Sequence, residues 1–581
     1  MSDLFSIKLT AWIRRNTGVL LIVFFILYAL SVFINMGIYQ LMAEEPRRGT
    51  VSFEMYFYDS FVHPTLMGVA YYNKPPLFNW LLIGLFKVLH SYSEWVVRLP
   101  SLLSMIAIGI LLYRFTVELM GRKVAVYATL IMLTFVDVYF YATYNGGEID
   151  LFYALLVICQ LFPLINYYMG KTNAYNALVL SYGFMALGCL TKGLPSLLFQ
   201  GATLFLLALY QRSPKILFSM AHAAGLATAA VVIGCYLYAF SRQDHIGILL
   251  ATQIDEAADK SAAGARQERL WSETLQYPLL LIKGMLPWSL SLLLLVKMPF
   301  SHLKNKGLGF IVALIGINIP VYWFTGIPKL RYIYPLMPFF AIVFAWIIYR
   351  FETGKRRYEK PVLAGVIVIM ITGVAGQLAL TGYMQQWWGL VPGLALGVIT
   401  LLVWRNRLAL RNFKAIVVLL AVVLVTGRFF FSMVIVPYAD VNAAVDHRHI
   451  MEQIDSITGG KGCWYYAAET TRELRPLPGG YEGDTIPVAP AVPYQLPYYY
   501  NKQFARPLVH SSSATAGDFY LAKSVALPDD IAVAIEQRFE HVQGDDDYVL
   551  FRVADNKTAG SIGDTTGRDA LPVENAGEMP Y

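Results

Sequence analysis

The stretch GVLLIVFFILYALSVFINM, residues 18–36, is followed closely by LMAEEPRRGT, residues 41–50. The first stretch is apolar and long enough for a helix to cross the ~30 Å hydrocarbon core of a bilayer. It lacks the small-residue cleavage site of a secretory signal peptide, so we predict a retained signal-anchor helix. The second stretch puts two acids, a proline and two arginines directly behind that helix. The sequence therefore predicts a membrane helix that is followed at once by a dense group of charged residues.

The composition is that of a polytopic membrane protein. Of 581 residues, 57% are hydrophobic and only 15% are charged, which is far from the composition of soluble globular proteins. Apolar stretches of similar length recur up to residues 415–436, and the pattern stops near residue 438. The net charge of +7 does not imply a nucleic-acid partner, because most Lys and Arg residues lie in short loops between spans and set topology. The four cysteines show neither a disulfide framework nor metal-ligand spacing.

Basic loops between the apolar stretches predict the orientation of the chain, since such loops are cytoplasmic by the positive-inside rule. Two spans fit between successive basic loops, except that the first interval also contains PPLFNWLLIGLFKVLH, residues 75–90. That segment is short and carries Asn79, Lys87 and His90, so we predict an interfacial or re-entrant helix. The prediction is then about thirteen spans, with the amino terminus inside the cell and the chain from Tyr438 outside.

We predict three parts of the chain. Residues 1–437 form an all-α polytopic membrane domain with juxtamembrane helices on its outer side. Residues 438–555 form a small extracytoplasmic α/β domain, because several short segments have the composition of strands and residues 441–457 have that of a helix. The stretch from residue 556 to 581 is rich in Gly, Thr, Asp and Glu and is predicted to be disordered.

Glu44 and Glu45 follow the first span on the predicted outer side. Pro46 suits the first turn of a short helix, and acids favour the amino end of a helix. One interpretation is a solvated helix cap. The other is a general base, with Arg47 or Arg48 holding an anion beside it.

Asp150 lies where the third span ends outside and the fourth begins, with Glu148 just before it. Taken alone it is a helix cap, because NGGEID, residues 145–150, is a turn followed by an apolar run. Two acidic clusters at the outer ends of early spans favour a functional role, since carboxylates at a membrane surface are costly without one.

Several basic residues fall on the same predicted outer face. Lys74 precedes a double proline that stiffens the chain, and it could bind a phosphate or only snorkel to lipid headgroups. The other basic residues are Lys192 in LTKGLP and the pair Lys329 and Arg331, with Tyr332 behind them. Such cations fit one anionic, membrane-borne ligand or a set of interfacial anchors.

The ordered motifs AEEPRR, NKPPL, EID, LTKGLP, GMLPWSL and KLRYIYPLMP resemble those of a known family. The resemblance is to the polyprenyl-phosphate-sugar transferases of the GT-C fold, which include lipid A aminoarabinose transferases and protein O-mannosyltransferases. It covers residues 18 to 350, and the outward-facing tail agrees with it. It implies a glycosyltransferase of the bacterial inner membrane that uses a lipid-linked sugar and no nucleotide or redox cofactor.

The resemblance also implies roles for single residues. Glu44 stands where the family has a catalytic Asp, and Glu45 and Asp150 match the other two acids. Arg47 matches the family's Arg after the acid pair, and Lys74 matches a residue that contacts the lipid phosphate. We place both in the predicted donor site, with the cations named above and Tyr332. Asn73 replaces a Glu that the aminoarabinose transferases associate with a metal, so we predict no metal site.

The implied reaction is a single displacement that inverts the anomeric centre, with a carboxylate as base and Lys and Arg stabilising the departing phosphate. The predicted acceptor is lipid A or a related glycolipid, and a Ser or Thr of a secreted protein is the alternative. A transporter of lipid-linked sugars is disfavoured, because transporters place polar groups near mid-membrane in paired halves. A third possibility is that the outer tail is the working part, as a sugar- or partner-binding module on an anchor.

Overall fold

The structure is a computed structural model. It describes residues 17–144, 146–259, 267–297, 305–323, 329–354, 359–405, 413–467, 474–476, 485–487, 492–527, 533–543 and 546–553. The predicted disordered tail, residues 556–581, lies outside these ranges. The described chain divides into two compact units.

The first unit takes its described residues from Met1–Arg48, Tyr72–Phe78 and Val97–Ala443. Its architecture is all α-helical, as the composition predicts. Three helices, Glu45–Phe57 (α2), Leu77–Leu89 (α3) and Glu94–Met120 (α4), have residues in both units. The remaining α-helices of the first unit are Thr17–Phe33 (α1), Arg122–Leu133 (α5), Asp150–Tyr168 (α6), Ala174–Lys192 (α7), Pro195–Gln211 (α8), Met220–Ser241 (α9), Ile246–Asp259 (α10), Gln267–Gly284 (α11), Lys306–Trp323 (α12), Met337–Gly354 (α13), Glu359–Met384 (α14), Leu390–Arg405 (α15), Phe413–Phe430 (α16) and Val436–Val441 (α17).

Shorter helical turns complete this unit. The 3₁₀ turns are Pro214–Phe218, Trp288–Lys297, Leu330–Leu336 and Trp387–Gly389, and two π-helical segments span Asp137–Ala142 and Phe431–Ile435. The core is built from buried aliphatic and aromatic side chains of most of these helices, with Phe135, Tyr139, Leu161 and Trp288 among them. Large apolar side chains also remain on the outside, such as Val231 at 63% exposure. On a helix that faces lipid such side chains need not be buried in the protein, because lipid tails are themselves apolar.

Nine helices of the described residues are long and apolar enough to cross a membrane, or ten if one bent pair, Thr274–Gly284 with Trp288–Leu295, is a single span. The predicted count of about thirteen therefore stays a prediction. Residues 77–89 form a 13-residue apolar helix, shorter than a spanning helix needs to be. This length agrees with an interfacial or re-entrant helix.

The second unit takes its described residues from Gly49–Tyr71, Asn79–Val96 and Ala444–Tyr581. Its strands are Thr65–Leu66 (β1), Val69–Ala70 (β2), Trp464–Tyr466 (β3), Leu474–Pro476 (β4), Thr485–Pro487 (β5), His510–Ser511 (β6), Phe519–Lys523 (β7), Val533–Gln543 (β8) and Asp546–Val553 (β9). Five of them form a mixed sheet in the order β6-β3-β7-β9-β8. Strand β3 is parallel to β6 and β7, and β9 is antiparallel to β7 and β8. Two-stranded sheets pair β1 with β2 and β4 with β5.

Two helices, His447–Thr458 (α18) and Gln495–Phe504 (α19), accompany the sheet, with a 3₁₀ turn at Ser524–Ala526. Alternating residues of β9 and β7 bury Phe551 and Tyr520 against each other, with ring centroids 5.5 Å apart. The small carboxy-terminal α/β region predicted from composition is therefore confirmed. The predicted boundaries at residues 437 and 555 stay predictions.

Candidate active site

Glu44 lies directly before α2 and forms ion pairs with two arginines of the first helical turn. Arg47 donates a hydrogen bond to Glu44 Oε2, and Arg48 Nη2 lies 3.6 Å from the same oxygen. The spacing of three and four residues puts both guanidinium groups on the helix face that Glu44 caps. The Glu44 side chain keeps 30% of its surface exposed, so it is accessible as well as paired.

A second group of charges forms where α6 begins, α7 ends and the Leu330–Leu336 turn passes. Lys192, the last residue of α7, donates a hydrogen bond to Asp150 Oδ1. Arg331 Nη1 lies 2.5 Å from Glu148 Oε1, and its Nε lies 4.0 Å from Asp150 Oδ2. The side chains of Glu148 and Asp150 are only 7% and 9% exposed. Water therefore screens their charges weakly, and their interactions with neighbouring charges are strong.

The two groups interact electrostatically and form one site. Burial raises the pKa of Glu44, but the positive charges of Arg48, Arg47 and Arg331 outweigh it, and the net effect is a lowered pKa. Arg48 also interacts with the Asp150 carboxylate. We call this set the charge cluster; its members are Glu44, Arg47, Arg48, Glu148, Asp150, Lys192 and Arg331.

Aromatic rings form one wall of the charge cluster. The ammonium of Lys192 lies 5.1 Å from the ring centroid of Tyr153 and 4.9 Å from that of Tyr332. Both distances are within the range of cation–π attraction, which holds a lysine without removing its charge. Tyr332 is therefore next to the cations with which it was predicted to act.

Glu148 differs from the other carboxylates of the charge cluster. Burial and the nearby negative charge of Asp150 raise its pKa to about 7, against the opposing effect of Arg331. Such a group changes its charge near neutral pH, and carboxyls of this kind concentrate at functional sites. The sequence marked Glu148 only as a neighbour of Asp150.

Glu45 is adjacent to Glu44 in sequence but has different surroundings. Its side chain is fully buried, and Arg98 Nε and Nη2 donate to its two oxygens at 3.0 and 2.9 Å. The backbone N–H of Gly147 donates to it at 2.8 Å. A Cβ at position 147 would lie 2.9 Å from the Glu45 Cβ, so the close approach requires glycine. Glu45 thus joins α2, α4 and the loop that carries Glu148.

The remaining predicted cations are Lys74 and Lys329. Lys74 is 9% exposed, and its ammonium donates to both oxygens of Glu256 on α10, each at 2.5 Å. Lys329 is exposed and immediately precedes the Leu330–Leu336 turn that carries Arg331.

Arg98 and Glu256 were missed by sequence reasoning. A signal for Arg98 existed, because an arginine near the start of an apolar span requires a partner. Nothing in the sequence distinguishes Glu256 from the other charged residues between positions 241 and 278. Within the described ranges, no group of three or more His, Cys, Asp or Glu side chains could hold a metal ion.

A cavity of about 440 Å³ lies elsewhere in the first unit, between α1, α4 and α5. Its lining includes Phe25, Ile110 and Tyr113, and no member of the charge cluster. Arg98 binds Glu45, the neighbour of Glu44, and so marks the end of α4 that lies near the charge cluster. Tyr113 follows Arg98 by fifteen residues on α4, or about 22 Å at 1.5 Å per residue. We therefore treat the cavity as separate from the site.

The chain is similar to known proteins in fold and in one segment of sequence. Residues 73–238 match the family model for dolichyl-phosphate-mannose-protein mannosyltransferases. The structure of ArnT from Cupriavidus metallidurans bound to undecaprenyl phosphate is 17% identical, with a TM-score of 0.67 over 93% of this chain and 98% of that one.

The apo ArnT structure gives 16% identity and a TM-score of 0.66 over 92% and 98% of the two chains. No curated protein matches the chain. The resemblance inferred from the ordered motifs is confirmed: the chain has the GT-C fold of ArnT, and its segment 73–238 matches the protein mannosyltransferase family model.

Proposed function

We propose that the chain is an integral membrane glycosyltransferase that moves a sugar from a polyprenyl-phosphate donor to an envelope acceptor. The observation that carries this proposal is the charge cluster, which combines an accessible carboxylate with four cations close to helix ends. The fold shared with ArnT and the family match at residues 73–238 support the same reaction class. The reaction takes place at the periplasmic face in this proposal, as the basic loops predict.

The cations of the charge cluster bind the donor phosphate. Four cations face three carboxylates, so the cluster has a net positive charge when all seven groups are ionised. Arg331 Nε is buried and has no hydrogen-bond partner among the described residues. An unsatisfied buried donor costs about 1–3 kcal/mol, and a phosphate oxygen would satisfy it. Arginine matches this need because its planar donors fit phosphate oxygens.

Glu44 is the general base in this proposal. It is the most exposed of the three carboxylates, at 30% against 7% for Glu148 and 9% for Asp150. Its lowered pKa keeps it ionised at neutral pH and thus able to accept a proton. A donor phosphate that shares Arg47 and Arg48 would weaken their hold on Glu44, so its pKa would rise and its basicity increase.

The proposed step is a single displacement. Glu44 takes the proton of the acceptor hydroxyl as that oxygen attacks the anomeric carbon of the sugar. The bond from that carbon to the lipid phosphate oxygen breaks with its electron pair, and the polyprenyl phosphate leaves with the added negative charge. Arg331 and Lys192 stabilise this charge, and attack from the opposite side inverts the anomeric centre. The reaction needs no nucleotide or redox cofactor, because the lipid phosphate is itself the leaving group.

Two of the predicted acids, Asp150 and Glu45, act by positioning in this scheme. Asp150 orients Lys192 and Arg331 through its two oxygens. Glu45 fixes the start of α2, so that Glu44 faces the cations.

The test uses purified protein and a radiolabelled sugar on its lipid carrier. Glu44→Gln keeps the shape of the side chain and removes the base, so we expect transfer to fall by at least a hundredfold with donor binding retained. Glu118→Gln is the matched control, because that side chain is 59% exposed at a surface ion pair. Near-normal turnover by Glu44→Gln would overturn the assignment of the base.

The acceptor is proposed to be lipid A or a related glycolipid, since ArnT shares the fold over nearly the whole chain. A Ser or Thr of a secreted protein is the second candidate, favoured by the family match at residues 73–238. Mass spectrometry of lipid A and of envelope glycoproteins, from cells with and without the gene, distinguishes them. Loss of one sugar mass from lipid A supports the first candidate, and loss from a protein supports the second.

A further inference from the structure

Helix α10 and the residue pair before it are bonded to the segment that carries Lys74. Tyr72 Oη donates to Asp244 Oδ2 at 2.5 Å, and Gln253 Nε2 donates to the Tyr72 carbonyl at 2.6 Å. Glu256, one helical turn further, accepts from Lys74 through both carboxylate oxygens. Three side chains, from α10 and from the residue pair before it, therefore contact two positions of this segment, Tyr72 and Lys74.

The same helix also touches the end of α7. A Cβ added to Gly193, the residue after Lys192, would lie 2.6 Å from Gln253 Oε1. Gln253 therefore lies between the backbone that precedes Lys74 and the backbone that follows Lys192. Two segments predicted to bind the donor phosphate are thus in contact with one short helix.

The Lys74–Glu256 pair is shielded from solvent, with side chains 10% and 21% exposed. A shielded ammonium is costly without a counter-charge. If Glu256 leaves Lys74, another anion must replace it, and an incoming lipid phosphate has the required charge.

We propose that Glu256 exchanges with the lipid phosphate at Lys74, and that its return to Lys74 favours release of the product. This inference rests on the proposed function, and it adds Lys74 and Glu256 to the proposed donor site. The carboxylate occupies Lys74 before the donor binds, yields it to the phosphate during the reaction, and competes for it again afterwards.

The charges of donor and product explain why such a competitor is useful. A polyprenyl-phosphate sugar is a phosphodiester with a single negative charge. The product is a phosphate monoester, which carries about −1.5 to −2 at pH 7. The cations therefore hold the product more tightly than the donor, which would slow turnover. Glu256 competes with both the donor and the product for Lys74. Because the product is held more tightly and its release would limit turnover, this competition has its largest effect on product release.

The experiment measures binding of two lipid probes to the full-length protein in detergent. One probe is undecaprenyl phosphate, a monoester like the product, and the other is its methyl ester, a diester with the charge of the donor. Glu256→Gln removes the competing charge, so we expect the monoester to bind about tenfold more tightly, the equivalent of about 1.4 kcal/mol. The diester, with its smaller charge, should gain only about threefold.

Three variants serve as controls. Asp255→Asn removes the same charge from the neighbouring residue of α10, for which the described residues provide no ion pair, and should bind both probes like the wild type. Lys74→Gln should weaken binding of both. In the double variant, Glu256→Gln should have no further effect, because there is no lysine left to release. Thermal unfolding confirms that each variant is folded, and Glu256→Ala replaces Glu256→Gln if the latter is not.

The outcomes separate this inference from the proposed function. Unchanged or weaker binding by Glu256→Gln, with Lys74→Gln still impaired, overturns the exchange and leaves the proposed donor class standing. An equal gain in the Lys74→Gln background also overturns it, because the effect would then be a general one of charge. If the wild type binds neither probe, the proposed donor class itself is wrong.

Discussion

Glu45 and Glu44 are neighbours in the sequence, and substitutions of Glu45 and of its partner Arg98 test whether Glu45 has a structural role. Arg98 is 2% exposed and donates to both oxygens of Glu45. It also donates to three backbone carbonyls between α1 and α2, at Met36, Tyr39 and Gln40, with distances of 2.6 to 3.1 Å. One guanidinium thus ties the connection that leads to Glu44 to the start of α4.

Arg98→Met removes this guanidinium and leaves the Glu45 carboxylate buried without its partner. Breaking a buried ion pair in this way costs about 3–5 kcal/mol, and the three carbonyls lose their donor as well. Glu45→Gln should cost less, because the amide oxygen can still accept from Arg98 while the charge is lost. In the double variant Glu45→Leu/Arg98→Met no unpaired charge remains, so we expect it to be more stable than Arg98→Met alone.

The assay is thermal unfolding in detergent, followed by sugar transfer normalised to the folded fraction. We expect activity to follow stability in this series, since Glu45 acts by positioning. The control pair is Glu118 and Lys171, 3.9 Å apart with side chains 59% and 30% exposed; Lys171→Met should change stability by less than about 1 kcal/mol. A Glu45→Gln protein with wild-type stability and no transfer would refute the reasoning and make Glu45 part of the chemistry.

Two further predictions concern carboxyls with raised pKa values, and a third concerns a cation. Glu148, with a pKa of about 7, becomes neutral below that pH and leaves the charge cluster more positive. Binding of the diester probe should therefore strengthen as pH falls from 8 to 6. The Glu148→Gln variant should bind the diester probe tightly over this whole pH range. Glu54 is fully buried, accepts from Thr65 and from the backbone N–H groups of residues 67 and 68, and has its pKa raised by burial from 4.5 to about 7. Since the folded state then binds the proton more tightly, stability should fall by up to about 3 kcal/mol as pH rises from 4.5 through 7; a Glu54→Gln protein with the same pH slope in its unfolding temperature would contradict this. Lys192→Met should raise the KM for the lipid-linked sugar, because the ammonium beside Asp150 is lost; an unchanged KM would remove Lys192 from the donor site.

The sequence predicted the membrane architecture because its signals are local. Apolar runs, basic loops and the proline-containing turns each report on a few adjacent residues, and α1 and α3 are where those signals put them. The order of the motifs was enough for the family resemblance. The same reading placed Glu44, Asp150, Lys192 and Arg331 on one side of the membrane, and these four side chains lie in one cluster.

The partner of each charge was decided only by the tertiary structure. Glu45 and Arg98 are 53 residues apart, and Lys74 and Glu256 are 182 apart; no local pattern links them, because helix packing determines which side chains meet. The same packing buries Glu45 and leaves Glu44 partly exposed, although both are glutamates in one turn. The sequence by itself predicted which charged residues stand next to the ends of the apolar helices. The fold decided which are shielded, which are paired and which remain accessible, since burial and charge separation depend on the positions of helices distant in sequence.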